Sequence, residues 1–185
     1  MNPICSKRHK ANIFLLWKLA LFGALVSFAK TSRKDFMNTT PILLVEDSEG
    51  NIFLVRHAMH KAGVTTPLEV VTSGEQAIEY LSGINRYSDW HRFPLPSIVL
   101  LDLKMPGISG FDVLKWIRHQ PGLKALRVAM LTSSDMPGEI KMAHDLGANI
   151  FLTKPVELER LVQIMKTVND HWLKQAQVPA AIREK

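Results

Sequence analysis

The sequence has almost no cysteine: among its 185 residues, Cys5 is the only one. An internal disulfide needs two cysteines, and the usual cysteine-based zinc sites need at least two. The chain therefore has neither a disulfide framework nor a cysteine-based metal site. This composition fits a protein of a reducing compartment, and we expect a cytoplasmic location.

A glycine-rich nucleotide-binding loop is also missing, as are internal repeats and low-complexity segments. These absences argue against a nucleotide-hydrolysing enzyme of the phosphate-loop type and against a repeat protein. With 46% hydrophobic residues, the sequence has enough apolar side chains for a packed core.

A charge excess is missing from most of the chain, although the total is +6. Of the 23 Lys and Arg and 17 Asp and Glu residues, seven basic residues and one acidic residue lie in 1–36, so 37–185 carries 16 of each sign. A neutral globular part gives no reason to expect a nucleic-acid partner.

The basic N-terminal part contains an apolar stretch, residues 11–29, which has three interpretations. The first is a membrane-spanning helix, for which the stretch is barely long enough. Lys18 at its centre would cost about 2.5–3.5 kcal/mol on insertion scales. A secretory signal is the second interpretation, because small residues follow the apolar run. We favour a third, in which translation begins at Met37, residues 1–36 lie outside the working domain, and no membrane contact is expected.

From Pro41 onward, short apolar runs alternate with amphipathic helical patterns. The predicted strands are Ile42–Glu46, Leu68–Val71, Ile98–Leu101, Arg127–Leu131 and Ile150–Leu152. The first predicted helix has Asp47 or Ser48 as its cap, and the second is capped by Ser73. The other three cover Gly110–His119, Pro137–Leu146 and Val156–Trp172. Five βα units predict an α/β fold with a five-stranded, doubly wound parallel sheet in a domain of residues 37–172, followed by a tail of residues 173–185.

Chemically active side chains stand at the carboxyl ends of four predicted strands, where such sheets place their functional sites. They are Glu46, Asp47, Asp102, Thr132 and Lys154. Each alone has an ordinary structural explanation, such as a turn, a cap or a solvated charge. Together they predict a phosphoryl-transfer site, because three carboxylates suit Mg²⁺ and an Asp carboxylate is a known covalent nucleophile.

The motifs around these residues resemble those of receiver domains of two-component response regulators, the chemotaxis-regulator type of fold. They are VED at 45–47, LLDLKMP at 100–106, MLTS at 130–133 and LTKP at 152–155, within a resemblance that covers roughly residues 40–172. The family more often has Asp where this chain has Glu46. The long loop 84–96 resembles that of small single-domain regulators that serve phytochrome-type and hybrid kinases.

This resemblance implies a role for each site residue. Asp102 is the expected phosphoacceptor, and Mg²⁺ is expected on Glu46, Asp47, Asp102 and the backbone carbonyl of Lys104. Thr132 and Lys154 are expected to hold the phosphoryl oxygens, with Ser133 leaving room for the incoming group. Thr132 and Phe151 are the expected switch residues.

The resemblance also implies partners. The phosphoryl group is expected from a sensor histidine kinase or a phosphotransfer protein. The short segment after the last helix is too small for an output domain, so output by protein contact or relay is expected. A homodimer through the fourth helix, fifth strand and fifth helix is a further possibility for this fold.

Two other functions remain as alternatives. A phosphatase of the haloacid-dehalogenase type also uses Asp, Thr or Ser, Lys and Mg²⁺, but its nucleophile follows the first core strand and a second Asp stands two residues later. Here Asp102 follows the third strand, and Lys104 stands at that spacing. The second alternative is an interaction module that is never phosphorylated, against which the complete set of site residues argues.

Overall fold

Five short parallel strands form the centre of the computed structural model, which describes residues 40–173. The strands are β1 (Ile42–Val45), β2 (Leu68–Val71), β3 (Ile98–Leu101), β4 (Arg127–Thr132) and β5 (Ile150–Thr153). Their order in the sheet is β2-β1-β3-β4-β5, and every neighbouring pair is parallel. This is the predicted α/β fold, with β1, β3 and β4 in the interior of the sheet.

Five α-helices cover the two faces of the sheet. They are α1 (Glu49–Lys61), α2 (Gly74–Ser82), α3 (Gly110–His119), α4 (Pro137–Asp145) and α5 (Leu158–Val168). Buried residues of α1 and α5 share one apolar cluster with the sheet, whereas those of α2, α3 and α4 belong to a second cluster. The sheet is therefore doubly wound, as five successive right-handed βα units require.

Both faces of the interior strands are apolar because helices cover both faces. In β1, Ile42 and Leu44 belong to the α1 and α5 side, whereas Leu43 and Val45 belong to the α2, α3 and α4 side. All four are buried. A continuous apolar run is the pattern expected of a strand buried on both faces, and this is the pattern that the sequence shows.

Serine side chains begin the first three helices. Ser48, Ser73 and Ser109 each accept a hydrogen bond from the backbone N–H three residues later. Ser109 and Asp112 form a reciprocal capping box. These hydrogen bonds satisfy donors that the helix itself leaves unpaired, so these serines define where the first three helices begin.

The last predicted helix begins too early, and its final turn has a different helical type. Residues 155–157 are not helical, and α5 begins at Leu158; beyond Val168 the chain continues as a π-helical segment, Asn169–Leu173. The Val156 side chain is 98% exposed, so no burial favours an earlier start. The predictions for residues 1–36, and for the tail beyond Leu173, lie outside the described residues.

The long loop between α2 and β3 packs against the core through its aromatic residues. A short 3₁₀ helix, Asn85–Tyr87, turns the Tyr87 ring to within 5.0 Å of the Tyr80 centroid and 5.1 Å of the Phe93 centroid. The Tyr80 hydroxyl donates to the carbonyl of Pro94 at 2.9 Å, and burial raises the pKa of this phenol. Aromatic packing therefore holds a segment that is long for this architecture.

No helix within residues 40–173 is both long enough and apolar enough to cross a membrane.

Candidate functional site

Hydrogen bonds of the sheet continue just beyond the strands and so bring the predicted site residues together. The Asp102 N–H donates to the carbonyl of Val45 at 3.0 Å, one residue past β3. The Lys154 N–H donates to the carbonyl of Thr132 at 2.6 Å, one residue past β5. The carboxyl ends of β1, β3, β4 and β5 therefore form one pocket, as expected for a parallel sheet.

Three carboxylates meet in this pocket. Oxygens of Glu46, Asp47 and Asp102 all lie within 4.8 Å of one another. Glu46 is 1% exposed and Asp102 6% exposed, whereas Asp47 faces solvent. Carboxylates at this spacing repel one another unless a cation lies among them. An oxygen-only ligand set with one side open to water fits a hard divalent ion such as Mg²⁺.

Lys154 supplies positive charge to the same pocket. Its Nζ atom lies 3.0 Å from Oδ1 of Asp102 and forms a hydrogen-bonded ion pair with Oε2 of Glu46. The Lys154 side chain is only 13% exposed, so water screens these pairs weakly. One ammonium compensates only part of the charge of three ionised carboxylates, and the remaining negative charge attracts a divalent cation.

Thr132 lies fully buried at the end of β4. Its Oγ1 atom accepts a hydrogen bond from the backbone N–H of Ser134 at 3.3 Å. Because a hydroxyl both accepts and donates, the proton of Thr132 stays available for an oxygen in the pocket. Ser133, between these two residues, is exposed; its role in leaving room for the incoming group stays a prediction.

The loop after Asp102 is held by α2. Oε1 of Glu75 accepts a hydrogen bond from the backbone N–H of Ile108 at 3.1 Å. The backbone N–H of Glu75 itself, the Ser73 hydroxyl and the Ile108 N–H together lower the pKa of the Glu75 carboxyl. Beside it, Gly107 has a φ of +74°, a conformation that other residues rarely adopt.

Lys104 stands two residues after Asp102 in this loop, and its side chain reaches α4. Its Nζ atom lies 3.7 Å from Oε1 of Glu139, and Oε2 of Glu139 is buried without a hydrogen-bond partner among the described residues. Sequence reasoning assigned only the backbone carbonyl of Lys104, as a metal ligand, and that role stays a prediction. The ion pair joins the loop of the phosphoacceptor candidate to α4.

Phe151 lies in β5 opposite Met130 of β4. It is half-buried and packs against the apolar cluster on the α2, α3 and α4 side of the sheet. Its strand leads directly to Lys154, so only two residues separate this ring from a pocket residue. The switch role that the resemblance implies stays a prediction.

Asn51 is a pocket residue that the sequence prediction missed. Its Nδ2 atom donates to Oε1 of Glu46 at 2.9 Å. The available signal was a polar residue in the first turn of a helix that begins directly after the acidic pair. A polar residue there has the ordinary role of a solvated helix position, so sequence alone did not distinguish it.

Comparison with known proteins gives the family. The response regulator receiver domain matches residues 42–166. The response regulator Rcp1 of Synechocystis is 31% identical over 140 residues, covering 76% of this chain and 93% of its own length. The probable methanogenesis regulatory protein FilR2 of Methanothrix harundinacea is 33% identical over 132 residues, covering 71% and 83%.

Solved structures agree with this result. The Mn²⁺-bound form of Rcp1 has a TM-score of 0.67 at 30% identity and covers 76% of this chain and 99% of its own. The phosphorylated cyanobacterial phytochrome response regulator RcpA has a TM-score of 0.69 at 32% identity and covers 77% and 99%. The chain thus spans nearly the whole of these regulators, which favours this fold and function over a phosphatase of the haloacid-dehalogenase type.

Receiver domains take phosphoryl groups from histidine kinases or phosphotransfer proteins and bind a divalent metal at an acidic pocket. The fold, the acidic pocket and the family match agree: this chain belongs to the response regulator receiver domain family, and it is a two-component signalling protein of the kind in which the receiver stands alone.

Proposed function

We propose that Asp102 is the residue that accepts the phosphoryl group. The observation that carries this proposal is the position of Asp102, buried among the acidic cluster with Nζ of Lys154 3.0 Å from its Oδ1 atom. A carboxylate oxygen of Asp102 forms a bond to phosphorus while the P–N bond of a phosphohistidine breaks. The imidazole of the donor histidine leaves and takes up a proton.

The pocket residues hold the group that is transferred. Lys154 pairs with a phosphoryl oxygen and Thr132 donates its hydroxyl proton to another, so both stabilise charge that develops during transfer. Glu46, Asp47, Asp102 and the backbone carbonyl of Lys104 would hold Mg²⁺. When bound, the ion would neutralise negative charge on the phosphoryl oxygens. The chemistry is self-phosphorylation and self-dephosphorylation, without turnover of a separate substrate.

The output surface that we propose consists of α4, β5 and α5. Ala143 is the only fully buried residue of α4, and Met136 and Ile140 of this region are exposed. Phosphorylation replaces the carboxylate of Asp102 with a group that carries about −1.5 to −2 charges and three strong acceptor oxygens. These oxygens attract Lys104 away from Glu139, and they draw the Thr132 hydroxyl further into the pocket. With Phe151 following Thr132, α4 shifts and presents this surface to a partner protein or to a second copy of the chain.

The proposed donor is a sensor histidine kinase or a phosphotransfer protein. Similarity to RcpA, a phytochrome response regulator, supports a phytochrome-type kinase as the first candidate. Because such kinases draw their phosphoryl groups from ATP inside the cell, we propose that the protein acts in the cytoplasm. Nucleic acid has no place in this proposal, since the domain carries balanced charge.

Phosphorylation by a small donor tests the assignment directly. The wild-type protein, incubated with acetyl phosphate and Mg²⁺, is expected to gain one acid- and base-labile acyl phosphate, measured by intact mass. Asp102→Asn removes the nucleophile with little change of volume and is expected to gain none while keeping its circular dichroism spectrum. Labelling of Asp102→Asn would overturn the assignment, and sustained turnover of free phosphate esters would favour the phosphatase alternative.

A further inference from the structure

The two oxygens of the Glu46 carboxylate have separate partners. Oε1 accepts hydrogen bonds from Nδ2 of Asn51 at 2.9 Å and from the backbone N–H of Ser48 at 3.3 Å. Oε2 pairs with the ammonium of Lys154. Glu46 is 1% exposed, so these protein groups, rather than bulk water, decide how its carboxylate is oriented.

We infer that Asn51 is a positioning residue of the metal and phosphoryl site. It fixes Oε1 of Glu46 and so leaves Oε2 as the oxygen that faces Lys154 and, when an ion is bound, the ion. This inference rests on the proposed function, because it assigns a role within the same pocket. Asn51 touches neither metal nor phosphoryl group and acts only through Glu46.

The Asn51 side chain is not needed to begin the helix. The cap of α1 is the Ser48 side chain, which accepts from the backbone N–H of Asn51. Negative side chains are favoured in the first turn of a helix, so an amide gains little from the helix dipole there. A carboxylate at this position would face Glu46 and repel it. The amide of Asn51 is therefore explained by its contact with Glu46 rather than by a contribution to the helix.

Loss of the amide donor leaves Oε1 with one partner where water has little access. A buried acceptor that loses a partner rotates to find another, and the nearest cation is the ammonium of Lys154. Such rotation takes Oε2 out of the orientation that an ion requires. Loss of a group that orients a metal ligand typically weakens metal affinity by about 10–100-fold.

The test measures Mn²⁺ affinity by electron paramagnetic resonance, together with thermal melting in EDTA. Asn51→Leu keeps the approximate volume and removes the donor, and it is expected to weaken Mn²⁺ binding by about tenfold. The matched control is Gly50→Ala in the same helical turn, where a Cβ atom meets only Oγ of Ser48 at 3.8 Å. Gly50→Ala is expected to raise the melting temperature and leave Mn²⁺ affinity unchanged.

A Glu46→Met background separates positioning from general structural damage. If Asn51 acts through Glu46, Asn51→Leu has no further effect on Mn²⁺ affinity once the carboxylate is gone. An equal loss of affinity in both backgrounds, or none in the wild-type background, would overturn the inference. Asn51→Ser serves as a second variant, and unfolding of both variants in EDTA would show a purely structural role and would also overturn it.

The same measurements distinguish this inference from the proposed function. Wild-type protein that binds no Mn²⁺ and accepts no phosphoryl group would contradict the proposed function itself. Wild-type protein that does both, with an Asn51→Leu variant that binds Mn²⁺ equally well, would contradict only the role of Asn51.

Discussion

Gly110 lies directly against the main chain of Asp102. A Cβ atom at position 110 would be 2.1 Å from the carbonyl oxygen of Asp102 and 2.9 Å from Cα of Leu103. The Gly110 N–H also donates to the carbonyl of Leu103 at 3.1 Å. The first residue of α3 therefore packs on the backbone that carries the phosphoacceptor candidate, and only glycine leaves the required space.

Gly110→Ala is expected to destabilise the protein and slow its phosphorylation. The added methyl group displaces either α3 or the Asp102 backbone, and overpacking of this kind costs about 1–3 kcal/mol. Urea unfolding measures the cost, and acetyl phosphate labelling measures the rate. Gly138→Ala is the matched control in the first turn of α4, because a Cβ atom there meets nothing within 4 Å. Unchanged stability in Gly110→Ala would contradict the close approach.

Mg²⁺ is expected to raise the melting temperature of the wild-type protein. Binding to the folded state at ten times the dissociation constant contributes about 1.4 kcal/mol, which is a shift of about 5 °C for a domain of this size. Asp47→Asn removes one of the three carboxylates and should reduce this increase in melting temperature. It should not lower the stability of the metal-free protein. If millimolar Mg²⁺ left the wild-type melting temperature unchanged, the acidic pocket would not be a metal site.

Lys154→Met is expected to make folding depend on divalent cations. The substitution keeps the length of the side chain but leaves Glu46 and Asp102 without their shared cation. Breaking a buried ion pair in this way costs about 3 kcal/mol, and bound Mg²⁺ should recover part of it. The comparison is urea unfolding in EDTA and in Mg²⁺. Equal losses of stability in the two buffers would show that lysine and metal do not share one role.

Hydrogen bonds that the Glu75 carboxylate accepts from its own backbone N–H, the Ser73 hydroxyl and the Ile108 N–H make part of the stability dependent on pH. Hydrogen bonds lower the pKa of Glu75 from 4.5 in the folded state, so the unfolded state takes up a proton first as the pH falls. The stabilisation is fully present above pH 4.5 and disappears as the pH falls through the lowered pKa. The difference in unfolding free energy between wild type and Glu75→Gln should therefore shrink on acidification. A difference that does not vary with pH would exclude this contribution.

The sequence predicted the order and type of all five strands and helices because each element carries its own local signal. Each of these signals, whether an apolar run, a serine cap or a glycine or proline stop, lies within about ten residues of chain. The same reasoning placed Glu46, Asp102, Thr132 and Lys154 at strand ends, and parallel strands necessarily bring those ends to one edge of the sheet. It failed at the start of α5, where the exposure of Val156 and the lack of a side-chain cap at Glu157 decided the boundary.

Contacts between residues far apart in sequence were decided only by the tertiary structure. Lys154 pairs with Glu46 across 108 residues, and Glu75 holds the backbone of Ile108 across 33. The packing of the helices on the sheet decides which acid pairs with the ammonium and which amide orients that acid. It also decides which glycine lies against the backbone of Asp102. The sequence by itself determined which strand-end groups meet at the pocket, because strand direction follows from local pattern. Packing added Asn51 to them, and it determined how these groups are paired, because side-chain geometry depends on neighbours that are distant in sequence.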